Sequence, residues 1–259
     1  MIKAKKKYGQ NFLVDKGVIN KIIQAINPNN SEKILEIGPG LGALTTQILN
    51  KIDHINVVEI DPDMIKALQE KIPSTSITIF SSNILEISND SIAEYDKVIG
   101  NLPYYISSEI LIKMTKTIKN QKELHFMLQK EVAERIASST HSKSYGRLSV
   151  MLQYFFEIDL LFDIQPESFS PSPKVTSSLV RLIPKKNYKN KVKNINNFEK
   201  LLKTSFAQKR KTIKNNLKSM LNDNDLNILG VNPQDRAEML TLSDFVRIEN
   251  YIFDKKILD

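Results

Sequence analysis

The stretch Asn101-Leu102-Pro103-Tyr104 carries residue types that could grip a flat base bearing an exocyclic amine. An asparagine side-chain oxygen and a main-chain carbonyl both accept hydrogen bonds. Pro103 fixes its own φ and offers no N–H. It also pushes Leu102 toward an extended conformation, so the Asn101 oxygen and the Leu102 carbonyl can converge on one point. Tyr104 adds a stacking face. Taken alone, the same run is also an ordinary strand-to-helix turn.

Three further polar sites fall at comparable places. Gly38-Pro39-Gly40-Leu41-Gly42 follows the apolar run Ile34-Leu35-Glu36-Ile37. Glycines there let the backbone approach a ligand closely. Glu59 closes the next apolar run, about 20 residues on, where a carboxylate commonly accepts from ribose hydroxyls. Asn83 follows a third run, Ser76 to Phe80. Gly38-x-Gly40-x-x-Ala43 also satisfies a loose dinucleotide fingerprint, so an NAD-binding oxidoreductase stays open from these residues. Pro39 and Gly42 favour a bulging loop that suits an amino-acid tail better than a pyrophosphate. A dehydrogenase also has no use for Asn-Leu-Pro-Tyr at a fourth strand.

The elements that must position these groups alternate strand and helix. Helices are expected at Lys16 to Ile26, Ala43 to Lys51, around Met64 to Leu68, around Ile110 to Met114, and at Lys130 to Ala137. Strands are expected at 33–37, 56–60, 76–80, 97–99 and 124–128. That alternation predicts a doubly wound parallel sheet with helices on both faces. Ligands bind outside the carboxyl ends of such strands, so Gly38, Glu59, Asn83 and Asn101 should line one crevice. Ser149 to Asp163 and Ser177 to Ile183 read as antiparallel strands closing the sheet edge. Phe169-Ser170-Pro171-Ser172-Pro173-Lys174 reads as a stiff loop between them. Beyond Lys185 the strand pattern stops and short helices follow. The expected domains are an α/β catalytic domain over 1–185 and a small all-α domain over 186–259.

The 259 residues contain no cysteine, which excludes disulfides and thiolate metal sites and suits a reducing, cytoplasmic setting. The three histidines do not cluster, so no metal site is expected. No apolar run approaches a membrane span, and the basic start (Lys3 to Lys7) leads into Tyr8-Gly9-Gln10, not into a secretory signal. Net charge is +8. From Pro184 to Lys218, twelve Lys and Arg face one acid, Glu199, while the remainder holds 25 basic and 28 acidic residues. A basic block on a near-neutral body points to a polyanion partner. Lys209, Arg210, Lys211 and Lys214, with Lys174, Arg135 and Arg147, are the candidate phosphate contacts. A monomer is expected.

Taken together, the sequence resembles the rRNA adenine N6,N6-dimethyltransferase family. The resemblance rests on Gly9-Gln10-Asn11-Phe12-Leu13, Glu36 to Gly42, Val58-Glu59-Ile60-Asp61, Asn101 to Tyr104, Phe169 to Val175, Phe206 to Thr212 and Arg236-Ala237-Glu238. It runs over nearly the whole chain. It implies a Rossmann-like fold and S-adenosylmethionine (AdoMet) as methyl donor. The implied cofactor positions are Asn11, Leu13, Gly38, Glu59, Asn83 and Asn101. The implied catalytic set is Asn101, Leu102 and Tyr104, with Phe169 read either as a second stacking ring or as a core anchor for the Pro-rich loop. The helical domain would bind rRNA. The block at 206–212, the Arg236 block and Leu102 look like the branch acting on small-subunit rRNA in ribosome assembly. That branch implies dimethylation of two adjacent adenines in the terminal hairpin loop of 16S rRNA within an immature subunit. The family usually has Asp where Asn83 stands, so the charge-assisted bond to the cofactor's adenine amine is replaced by a neutral one. Large-subunit rRNA and DNA adenine methylation, and a non-catalytic assembly role, remain as alternatives.

Overall fold

The computed structural model describes residues 5, 8–119, 121–186 and 192–258, the side chains of 256–258 excepted. Lys3, Lys6 and Lys7 of the basic start, and Lys189 and Lys191 of the basic block, lie outside the described residues. The chain divides into two compact units, one of 1–133 with 158–184 and one of 134–157 with 185–259. The sequence reading placed one cut near residue 186. The structure also assigns 134–157 to the C-terminal unit.

In the first unit the elements run β1 (Phe12–Leu13), α1 (Lys16–Ile26), β2 (Ile34–Ile37), α2 (Ala43–Ile48), β3 (Ile55–Glu59), α3 (Pro62–Lys71), β4 (Ile77–Ser81) and α4 (Asn89–Ile92). They continue through β5 (Lys97–Asn101), α5 (Ser107–Met114), β6 (Glu123–Gln129) and α6 (Lys130–Ala137), which runs across the division. After α7 (Arg147–Phe155) come β7 (Phe156–Ile164), β8 (Phe169–Ser170) and β9 (Ser177–Pro184). Seven strands form one sheet in the order β4-β3-β2-β5-β6-β9-β7, and β1 pairs with β8 separately. The pairs from β4 to β6 are parallel, and β9 lies antiparallel to β6. The order reverses between β2 and β5, and such a switch point opens a crevice at the strand ends. Register brings the ends level, because Ile37 lies opposite both Val58 and Gly100, and Glu59 opposite Ser81.

Sequence explains these strands. Ile34, Leu35, Val57, Val98 and Ile99 are all buried to within 1%. Each such side chain contributes about 1.5–3 kcal/mol by leaving water. Helices start at side-chain caps. The Asp15 carboxylate accepts from the Gly17 and Val18 N–H groups, and that of Asp61 from Asp63 N–H.

One expected strand is a helix in its first half. Ser149 to Phe155 belongs to α7, and extended structure begins only at Phe156. Ser149, Val150, Met151, Leu152, Tyr154 and Phe155 are all buried, so this helix shows no polar stripe and no helical period. The Ser149 hydroxyl accepts from the Gly146 N–H at 3.1 Å and marks its start.

The second unit also holds α8 (Ile195–Ser205), α9 (Ile213–Leu217), α10 (Asp223–Ile228) and α11 (Leu242–Leu258). Phe198 and Phe245 are fully buried in it. Tyr154 packs on Phe198 with centroids 5.0 Å apart, and Phe206 on Phe245 at 5.6 Å. The buried Glu249 carboxylate accepts from the Lys193 and Asn194 N–H groups and pins the entry to α8.

Lys97 fixes the start of β5. Its ammonium is buried and donates to the Ile26 and Asn27 carbonyls at 2.6 and 3.1 Å, where α1 ends. It also pairs with Glu32 at 3.1 Å and Glu123 at 3.0 Å. Removing one member of a buried charge cluster strands the others. Lys97→Met should therefore lower unfolding stability by about 3–5 kcal/mol in urea titrations. A loss below about 1 kcal/mol would mean that the cluster behaves like an exposed ion pair.

Candidate active site

The carboxyl ends of β2, β3, β4 and β5 open onto a cavity of about 400 Å³. That volume lies within the range of small-molecule sites. Asn11, Leu13, Gly38, Glu59, Asn83, Asn101, Leu102 and Tyr104 all line it. The expectation of one crevice at four strand ends holds in this geometry.

Asn101 ends β5. Its Nδ2 donates to the Asn11 carbonyl at 2.9 Å. That bond fixes the amide, since a carbonyl can only accept, and it leaves Oδ1 as the outward acceptor. Oδ1 takes no hydrogen bond among the described residues, and neither does the Leu102 carbonyl. Leu102 itself is held by its side chain, buried to 1%, and by its N–H on the Met127 carbonyl at 3.2 Å. Two acceptors on adjacent cavity-lining residues are therefore left without a hydrogen-bond partner among the described residues. The Tyr104 hydroxyl is 2.7 Å from that of Ser177. Burial raises the Tyr104 pKa, against a smaller opposing effect of Ser177, so the ring stays neutral.

The Glu59 carboxylate is pre-set by backbone. Oε1 accepts from the Ile60 and Asp61 N–H groups, both at 2.9 Å, and Oε2 from Gly40 N–H at 3.2 Å. Burial raises its pKa, and those three N–H groups oppose the rise. Gly38 and Gly40 both have positive φ, at 65° and 55°. A Cβ on Gly40 would lie 3.1 Å from the Phe12 ring, so a side chain there would crowd the cradle. Asn83 lines the cavity, and its Oδ1 accepts from Leu85 N–H at 3.0 Å, which occupies one of its two lone pairs.

Phe169 departs from expectation. It is 3% exposed, pairs with Leu13 across β1 and β8, belongs to the hydrophobic core and is absent from the cavity lining. The ring holds the N-terminal segment down rather than facing a base. Among the candidate phosphate contacts, Lys174, Arg147, Lys209, Arg210 and Lys211 are exposed, the last three on the turn between α8 and α9. Lys214 is paired with Asp223 at 3.1 Å, which offsets its charge locally. Arg135 is only partly exposed near the end of α6.

Two features were missed. The first is a latch on the N-terminal segment. Asp61 is fully buried and accepts from Lys5 Nζ at 2.6 Å and Gln10 Nε2 at 2.8 Å. Burial alone would raise its pKa, but these donors and the Asp63 N–H hold it below the ordinary value. The Gly9-Gln10-Asn11 wording carried that signal only as a motif. The second is Glu36 at the cavity floor, 2% exposed, accepting from the Thr45 hydroxyl at 2.7 Å. A carboxylate inside Ile34-Leu35-Glu36-Ile37 is itself the sequence signal. Among the described residues no group of three or more acidic or histidine side chains could hold a metal ion, and no helix is long and apolar enough to cross a membrane.

Known proteins match this arrangement. The family model for ribosomal RNA adenine dimethylase matches residues 1–254. A ribosomal RNA small subunit methyltransferase A from Neisseria gonorrhoeae is 43% identical over 98% of both chains. One from Methylobacillus flagellatus is 43% identical over 96% of this chain and 98% of its own. The crystal structure of a dimethyladenosine transferase from Plasmodium falciparum superposes with a TM-score of 0.80 at 26% identity, covering 95% of this chain and 98% of that one. The 23S rRNA methyltransferase ErmE shares the fold, with a TM-score of 0.69 at 22% identity over 94% of this chain and 100% of its own.

Burial lifts the Glu36 pKa from 4.5 to about 7, with the Thr45 hydroxyl opposing and the Glu59 charge adding to the rise. A carboxyl whose folded pKa is raised binds more protons folded than unfolded between those values. Its stability cost therefore grows as pH rises from 4.5 to 7 and is constant above. Glu36→Gln keeps an acceptor for Thr45 and removes the charge. The variant should equal the wild type below pH 4.5 and exceed it at pH 8 by an amount on the order of 3 kcal/mol. Thermal unfolding across that pH range checks it, and a gap that does not change with pH would contradict it.

Proposed function

The chain belongs to the ribosomal RNA adenine dimethylase family, and from that premise we propose that it dimethylates N6 of two adjacent adenines in the terminal hairpin loop of 16S rRNA during small-subunit assembly. The small-subunit substrate is supported by the names of relatives 43% identical over nearly the full length. It is supported also by Phe206 to Thr212, Arg236-Ala237-Glu238 and Leu102, as read above.

The cavity fits AdoMet. Glu59, with its carboxylate set by three backbone N–H groups, suits ribose hydroxyls. The Gly38 and Gly40 turns leave room for an amino-acid tail. Asn83, Leu13 and Asn11 complete the wall. When bound, AdoMet supplies an electrophilic sulfonium methyl group.

The chain's own residues act on the adenine amine. An aryl amine is a poor nucleophile because its lone pair is delocalised into the ring. Asn101 Oδ1 and the Leu102 carbonyl each accept from N6, which draws the nitrogen toward a pyramidal geometry and localises the lone pair. The same two oxygens stabilise the positive charge that develops on N6. Positioning supplies the rest, and no activated nucleophile is needed. After the first transfer N6 has one fewer N–H, so one acceptor alone orients the second. Tyr104, tethered through Ser177, offers a ring to the target base. That base must leave its stack, which costs less from a loop than from a duplex. The exposed lysines and arginines at 209–211, with Arg147 and Lys174, contact phosphates, and binding weakens as salt rises.

The carrying observation is the Asn101 amide, bonded to Asn11 through nitrogen and without a partner at oxygen among the described residues. Asn101→Ala should abolish tritiated methyl transfer from AdoMet to under-methylated small subunits. Calorimetry should show cofactor affinity largely retained. Transfer at the wild-type rate would overturn the mechanism. Naked rRNA and DNA assayed in parallel with wild-type protein test the substrate, and preference for either over the subunit would overturn that part.

A further inference from the structure

The turn that follows the two acceptors carries two tyrosines in different settings. Ile106 N–H bonds the Pro103 carbonyl at 3.2 Å, which places Tyr104 and Tyr105 at the centre of the turn. Tyr104 is half-buried with its hydroxyl tied to Ser177. Tyr105 is 61% exposed, lines the cavity, and makes no hydrogen bond through its hydroxyl among the described residues. A core role does not explain a ring so exposed, and the ring is nevertheless held. Gly9 lies against it with φ +59°, and a Cβ there would be 3.2 Å from Tyr105 Cδ1 and 3.4 Å from Cε1. Backbone closes one side of the ring and leaves the rest to solvent at the cavity mouth.

A target that enters the cavity as one flipped base leaves its neighbour behind at the mouth. That neighbour has lost a stacking partner, and exposed aromatic rings commonly replace one in single-stranded RNA. We infer that Tyr105 is a substrate-stacking residue, receiving the base next to the one held by Asn101 and Leu102. The inference rests on the adenine-methylation reading above and adds a second base subsite to it. With two adjacent adenines as substrate, each in turn occupies the cavity while the other, or a flanking base, lies on Tyr105. Tyr104 then sets the plane of the reacting base and Tyr105 the path of the strand.

Methyl-transfer kinetics on under-methylated small subunits test this. Tyr105→Ala should raise KM for the subunit about tenfold, the loss of one stacked base, with AdoMet affinity unchanged by calorimetry. Tyr105→Phe should restore the wild-type KM, because the ring and not the hydroxyl does the stacking. The chain has no tryptophan, so Tyr105→Trp adds the sole indole. Its fluorescence should be quenched as subunits saturate. An unchanged KM in Tyr105→Ala, or no quenching in a Tyr105→Trp variant that still transfers methyl groups, overturns the inference. Absence of transfer by the wild-type protein in the same assay overturns the functional reading instead.

Discussion

One hydrogen bond governs the proposed chemistry, from Asn101 Nδ2 to the Asn11 carbonyl. A carboxamide has nearly the same shape either way round and opposite chemistry at its two ends. Reversed, it would present a donor to an amine and repel it. The Asn11 carbonyl removes that choice. Much of the first unit serves to keep these two residues facing each other. Asn101 is placed by β5, whose far end is anchored by the buried Lys97 cluster. Asn11 is placed by the pairing of Phe12 and Leu13 with Ser170 and Phe169, and by the latch from Lys5 and Gln10 to Asp61.

Three carboxylates near the cavity are handled in three ways. Glu36 is buried on a single hydroxyl and holds its proton to about pH 7. Glu59 is buried on three backbone N–H groups that oppose the effect of burial. Asp61 meets a lysine and stays charged. The proposed mechanism asks for none of them as a base, since N6 can lose its proton after the methyl group has arrived. Their work is geometric: Glu59 ties the Gly40 turn to β3, and Asp61 ties the N-terminal segment to α3.

The strands and the positions of Gly38, Glu59, Asn83 and Asn101 were legible because a parallel sheet writes itself as apolar runs that end in polar punctuation. The α7 segment was not legible. Buried on nearly every side, it has no polar face for periodicity to reveal, and its Val, Tyr and Phe content imitates a strand. Phe169 was half legible, since a Pro-rich loop with one aromatic suits a stacking ring as well as a core anchor, and only burial separates the two. The Lys5–Asp61 latch spans 56 residues in sequence, and no local pattern announces such a pair. Tyr105 carries no signal of its own in the sequence, and its exposure and its contact with Gly9 set it apart from Tyr104.

The most direct test is a crystal structure of the protein with S-adenosylhomocysteine and a short single-stranded RNA containing adenine. The account predicts adenine N6 within hydrogen-bond distance of both Asn101 Oδ1 and the Leu102 carbonyl, with Asn101 Nδ2 still on Asn11. An adenine whose N6 faces elsewhere in the cavity, or an Asn101 amide turned away from the Asn11 carbonyl, would contradict it.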